Sequence, residues 1–328
     1  MRAFSMLCSK FVILSRRSSI ILTCLAACSA GGLRLNAQIL TQEDLQNETA
    51  EYEVASRSAE PPHMPPVVAG RIWLHLGVLY QDAGRFGQAE IAYEHAMRLL
   101  TIAPVSRPDL ADALDNLGTL YAETGNLKDA EHAEKNALKM REAAGLKSEL
   151  PRSWYHLATL YLHQHRSTKA REFAQRAAEA FSEDRNALPE NKLGTLLVLA
   201  SSLCQSHQYP EAIAHLQSAL QLSNNLYGPE QLPTGLNTFL LGYAYWKSGD
   251  LVSANPLMQR GSDILGKTLG WHPAYLFVLT QYAQFLRKAH QQDAAHAIEQ
   301  EIKQKRTHLN SEPKFGQQLQ MIDIAVLF

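Results

Sequence analysis

Residues 114–131 read Leu-Asp-Asn-Leu-Gly-Thr-Leu-Tyr-Ala-Glu-Thr-Gly-Asn-Leu-Lys-Asp-Ala-Glu. Leu114, Leu117 and Tyr121, then Leu127, Ala130 and Ala137 further on, recur at helical spacing. Gly125 and Asn126 interrupt the pattern, and both tolerate the backbone turn that follows a helix. Two amphipathic helices therefore pair as a short hairpin. Gly118 on the first helix, with Ala130 and Ala137 on the second, leaves almost no side chain between them. The axes are expected near the lower end of the usual ~8–10 Å packing distance.

The same arrangement returns five times. Upstream stand Trp73, Leu76, Gly77, Tyr80, Gly84, Ala89, Tyr93 and Ala96. Downstream come Trp154, Leu157, Ala158, Tyr161 and Ala170, then Leu196, Leu199, Ala200, Leu203 and Ala212. A fifth copy carries Leu241, Gly242, Tyr245, Gly249 and Ala254, and a weaker sixth Leu279, Tyr282, Ala283, Leu286 and Ala295. The small residue of the first helix falls at 77, 118, 158, 200, 242 and 283, in steps of 40 to 42 residues. So even a step predicts a repeat array rather than one globular core. Prolines at 108, 151, 189, 233 and 273 precede or open first helices, where the missing N–H costs little.

On these residues the chain resembles the tetratricopeptide repeat family, whose unit carries Trp, Leu-Gly, Tyr, Gly, Ala, aromatic and Ala in this order. The long period, with Leu226-Tyr227-Gly228-Pro229-Glu230 and Gly270-Trp271-His272-Pro273, is similar to the kinesin-light-chain type. The resemblance covers roughly residues 70–302. It implies an all-α, right-handed α-solenoid of about six helix hairpins, at about 70–103, 111–144, 151–184, 193–226, 235–268 and 276–307, within an array over 69–302.

The resemblance also implies that first helices line a concave face able to hold an extended peptide. The candidate groove residues are His75, Asn116, Tyr155, His156, Phe239, Tyr243, Trp246, Lys247, Gln281, Arg287 and Lys288. Asn116 matches an asparagine that bonds a peptide backbone in the light-chain type, with His75, His156 and Gln281 polar at equivalent positions; Val198 and Leu240 depart from the pattern. The lysine and asparagine set that holds a terminal carboxylate in chaperone-binding members is missing, since Leu74, Val78, Asp115 and Thr119 stand there. Phe239, Tyr243 and Trp246 form one stripe on one helix, which either buries against neighbouring repeats or anchors a ligand. Along the groove the charge runs from acidic near the second repeat to basic at Lys247, Arg287 and Lys288.

Residues 1–37 carry five basic residues and no acid, and Arg16 and Arg17 precede an apolar run too short to span a bilayer. This predicts export to the periplasm or beyond. Two processing routes fit: cleavage after Ala37, or lipidation of Cys28 within Leu25-Ala26-Ala27-Cys28, which would tether the protein to the envelope. Residues 38–68, with Pro61, Pro62, Pro65 and Pro66, are expected to be a stiff spacer. Residues 303–328 are expected to form a tail that caps the last helix or pairs with a partner.

Without residues 1–37 the chain has 26 basic against 32 acidic residues, a poor balance for nucleic acid. Cys204 reads as a small apolar filler. His163 and His165 point about 200° apart on a helix and make a poor metal pair. No zinc-protease, phosphate-loop or Cys-x-x-Cys motif occurs, so neither cofactor, metal nor catalytic residue is expected. The expected function is non-enzymatic: a scaffold for a protein or peptide partner. A membrane-tethered envelope-assembly protein and, with less support, the regulatory subunit of an enzyme are the alternatives.

Overall fold

The computed structural model describes residues 42–57, 64–102, 107–184, 187–270 and 273–311. The expected leader with Cys28, Pro61 and Pro62, and the end of the tail lie outside these residues.

Thirteen α-helices and no strand occur among the described residues. A first helix, α1 (Gln42–Arg57), precedes six hairpins. These are α2 (Pro66–Asp82) with α3 (Phe86–Ile102), α4 (Arg107–Glu123) with α5 (Leu127–Ala143), and α6 (Leu150–His163) with α7 (Ser167–Glu183). They continue as α8 (Pro189–Gln205) with α9 (Tyr209–Tyr227), α10 (Leu232–Ser248) with α11 (Leu251–Leu269), and α12 (Pro273–Lys288) with α13 (Gln292–Ser311). A 3-10 turn, Lys147–Glu149, links the second hairpin to the third. Each helix packs on its sequence neighbours, so the chain is an α-solenoid.

Three sequence devices set the hairpins. Proline opens α2, α6, α8 and α10 within the first two positions, where it removes no helical hydrogen bond. Between the paired helices the backbone turns through the left-handed region at Gly84, Gly125, His165, His207, Gly249 and His290, with φ of 70°, 82°, 53°, 60°, 97° and 60°. Glycine adopts this freely; histidine is among the few other residues that do so often. Inside the hairpin, Gly118 faces Glu134 at the position where Gly242 faces Met258.

Consecutive hairpins are joined by a recurring contact. Tyr80 Oη donates to Glu53 Oε1 (2.9 Å) and Tyr161 Oη to Glu131 Oε1 (3.2 Å). In each case an arginine, Arg85 or Arg166, pairs with the glutamate and lies 4.5 or 4.7 Å from the tyrosine ring centroid. At the corresponding junction of the fourth and fifth hairpins the direction reverses, and Gln217 Nε2 donates to Tyr245 Oη (3.0 Å). Glu53 lies on α1, which corrects the expectation of a spacer over 38–68. Tyr52, Thr49 and Ser56 of α1 are buried, and α1 packs on α2 much as α3 packs on α4. Its sequence lacks a continuous apolar stripe, yet Tyr52 with Leu45 and Ala55 packs into the first core while Glu48 and Glu53 bond to α2 side chains.

Candidate functional site

The first helices α2, α4, α6, α8, α10 and α12 carry all the expected groove residues, but most of these are closed to a partner. Asn116, Tyr155 and His156 are 4%, 1% and 4% exposed, and Phe239 is 0% exposed. First helices of neighbouring hairpins touch one another directly, and their central residues fill the space between them. Asn116 is therefore not available to a peptide backbone, and Phe239 packs inside its own hairpin. A Cβ on Gly261 of α11 would lie 2.6 Å from the Phe239 backbone nitrogen, so α10 and α11 run almost in backbone contact there. His75 is covered from α1: its Nε2 is 3.1 Å from Glu48 Oε1, and its ring centroid is 4.2 Å from that of Tyr52.

The accessible part of this face is the last turn of each first helix. Asp82, Glu123, His163, Gln205, Lys247 and Lys288 occupy equivalent positions in the six hairpins, 40 to 42 residues apart; the first four are partly buried and the two lysines exposed. The row passes from two carboxylates through a histidine and an amide to two ammonium groups. Burial pushes the Glu123 carboxyl up to about 7, reinforced by Asp82, while Gln81 Nε2 opposes this by donating to Oε2 (2.8 Å).

At the basic end the aromatic stripe bridges two hairpins. The Tyr243 and Trp246 rings meet edge to face at 5.6 Å, and Trp246 meets Phe285 of α12 at 6.0 Å. Tyr243 is buried, which pushes its phenol up to about 12. Trp246 keeps a partly exposed surface, and Lys247 Nζ stands 4.1 Å from its ring centroid and 5.0 Å from that of Tyr243. Partial burial lowers the Lys247 pKa. Gln281 is half-buried and Lys288 exposed, while Arg287 forks onto Glu299 (3.0 and 2.7 Å). Cys204 is buried, and burial raises its thiol to about 12, as suits an apolar filler.

A second feature escaped the sequence reading. Between the second and third hairpins, α4, α5 and α6 bury a network of charges. Arg141 is 0% exposed; it donates to Asp112 Oδ1 (2.7 Å), Glu149 Oε2 (3.2 Å) and Ser153 Oγ (2.6 Å). It also pairs with Asp115 Oδ2 at 2.6 Å. Arg152 pairs with Asp112 and lies 3.6 Å from Asp115. Beside them Glu134 Oε1 faces His156 Nδ1 at 3.4 Å. Burial pushes the Glu134 carboxyl up to about 7, against the pull of His156. The signal lay in the period: Glu134 stands 41 residues after Tyr93, and Arg141 the same step after Leu100, both buried apolar residues.

The model of the Tetratricopeptide repeat family matches residues 68–143 and 192–267. No curated protein matches the chain. Among solved structures, the apo form of RapI is similar at 10% identity, covering 83% of this chain and 94% of that one, with a TM-score of 0.66. The Rap conjugation gene regulator of plasmid pLS20 with the Phr* peptide is similar at 13% identity, over 81% of this chain and 70% of that one, with a TM-score of 0.59. Kinesin-light-chain repeats from Podospora anserina are similar at 20% identity, over 60% and 94%, with a TM-score of 0.51.

Proposed function

The chain is a tetratricopeptide-repeat protein, and on that footing we propose that it is a non-enzymatic scaffold for an extended peptide or partner segment. The segment lies along the last turns of the first helices. The supporting observation is the graded row from Asp82 and Glu123 to Lys247 and Lys288, one residue from every hairpin. Such a row orients a ligand, with its basic end near the first hairpins and its acidic end near the last. Trp246 under Lys247 supplies a flat apolar contact beside that acidic end. Peptide capture by the similar pLS20 regulator is consistent with this use of the fold.

Charge reversal tests it. Lys247→Glu with Lys288→Glu is expected to abolish capture of native partners while helicity and thermal midpoint hold, and Trp246→Ala to weaken capture. Undiminished capture by the double variant would end the proposal. Export, by cleavage after Ala37 or by lipidation of Cys28, is proposed from residues 1–37 alone. Mass spectrometry of the mature amino terminus from the native host distinguishes the two routes, and an unprocessed Met1 would refute both.

A further inference from the structure

Glu134 occupies the inward position that Tyr93 fills one repeat earlier and Met258 in the fifth hairpin. An apolar side chain would satisfy packing there. A carboxylate instead carries a desolvation cost of several kcal/mol unless something charged compensates it. Gly118 makes room for it: a Cβ at that point would come within 2.8 Å of Glu134 Oε1.

The surrounding charges do not balance. Asp112, Asp115, Glu134 and Glu149 give four carboxylates in the network, against the guanidiniums of Arg141 and Arg152. Four carboxylates against two guanidiniums leave two carboxylates without a guanidinium to balance them. Donor atoms of Asp115, Glu134 and His156 all lie within 4.8 Å of one another, and all three residues are buried. Asp115 Oδ1, Glu134 Oε2 and His156 Nε2 are buried without a hydrogen bond. Unsatisfied buried polar atoms are rare, and one on each of three residues whose donor atoms cluster this closely marks a place for a missing partner.

We propose that Asp115, Glu134 and His156 bind one divalent cation of the zinc class, which clamps the second hairpin to the third. One imidazole nitrogen with two carboxylate oxygens suits zinc rather than calcium or magnesium, which take oxygen-only shells. The three ligands come from α4, α5 and α6, so binding joins helices that the chain otherwise holds by packing and ion pairs. The dication supplies the two missing charges and leaves Arg141 and Arg152 to their carboxylates.

The test uses the full chain, stripped with chelator and titrated with zinc sulfate alone. One zinc per chain is expected, with a raised thermal midpoint and no comparable effect of magnesium or calcium. Glu134→Gln and His156→Asn should each weaken binding about tenfold or more, the loss seen even for residues that only support a ligand. His207→Asn, on an exposed turn, should leave it unchanged. X-ray absorption of the zinc-loaded unmodified chain decides the matter even if a variant fails to fold. A shell of one imidazole and oxygens at about 2.0–2.2 Å supports the site. No saturable binding, binding unaffected by either ligand variant, or a shell of several imidazoles from surface histidines would overturn it.

Discussion

Arg141 Nη2 lies 2.6 Å from Asp115 Oδ2, and solvent reaches neither side chain. The pair crosses from α5 to α4 inside the second hairpin, where the first hairpin carries Leu100 opposite Leu74. Removing Asp115 takes from the buried Arg141 its one fully buried carboxylate and leaves it the part-exposed Asp112 and Glu149. Asp115→Ala is therefore expected to destabilise the fold by about 3–5 kcal/mol. Chemical denaturation would register this as a lower midpoint, and an unchanged midpoint would contradict the burial of the pair.

Phe239 and Trp246 share a stripe on α10 but differ in role. Phe239→Ala opens a cavity beside Gly261 and should cost about 3–5 kcal/mol. Trp246→Ala, at a half-exposed ring, should cost less than that and act mainly on partner capture. Denaturation and capture measured on both variants separate the two roles; equal stability losses would show that Trp246 is packing alone.

The left-handed turns make a matched pair of substitutions. His207→Gly relieves a side chain held at φ 60° and is expected to stabilise by about 0.5–1 kcal/mol. Gly125→Ala, at φ 82°, forces a side chain into the same region and should cost about 1–2 kcal/mol. Thermal midpoints moving in opposite directions would verify both.

Glu123 predicts a pH dependence. Its carboxyl, at about 7 in the folded chain and near 4.5 when unfolded, binds more protons folded than unfolded between those values. Stability drawn from this group is thus greatest in acid and is lost as pH rises from about 4.5 to 7. Glu123→Gln keeps an acceptor for Gln81 and removes the ionisation. At pH 8 it should be more stable than the parent by about 1–2 kcal/mol, and at pH 4 nearly equal. A variant advantage that is the same at both pH values would rule the mechanism out.

The Leu-Gly-Tyr spacing around Gly118 was enough to read the hairpins and their period, because close helix approach demands small residues at fixed steps. Accessibility was harder to read. Asn116, Tyr155 and His156 lie on first helices, as the family resemblance implied, but successive first helices crowd one another and bury their central turns. The last turns, from Asp82 to Lys288, stay at least partly open in all six hairpins. Residues 42–56 can be read from the sequence as a loose polar helix, but not its docking, because Tyr52, Glu48 and Glu53 make the contacts without a continuous apolar stripe. Glu134 shows the limit of motif reading, since it is conspicuous only when aligned with Tyr93 one period away.

Glu53 receives Tyr80 as Glu131 receives Tyr161, so α1 sits against α2 in the seat that a second helix takes against the following hairpin. That seat is where another copy of the chain would have to stack head to tail. The chain's own α1 therefore covers that seat, so within the described residues the first hairpin does not present it bare.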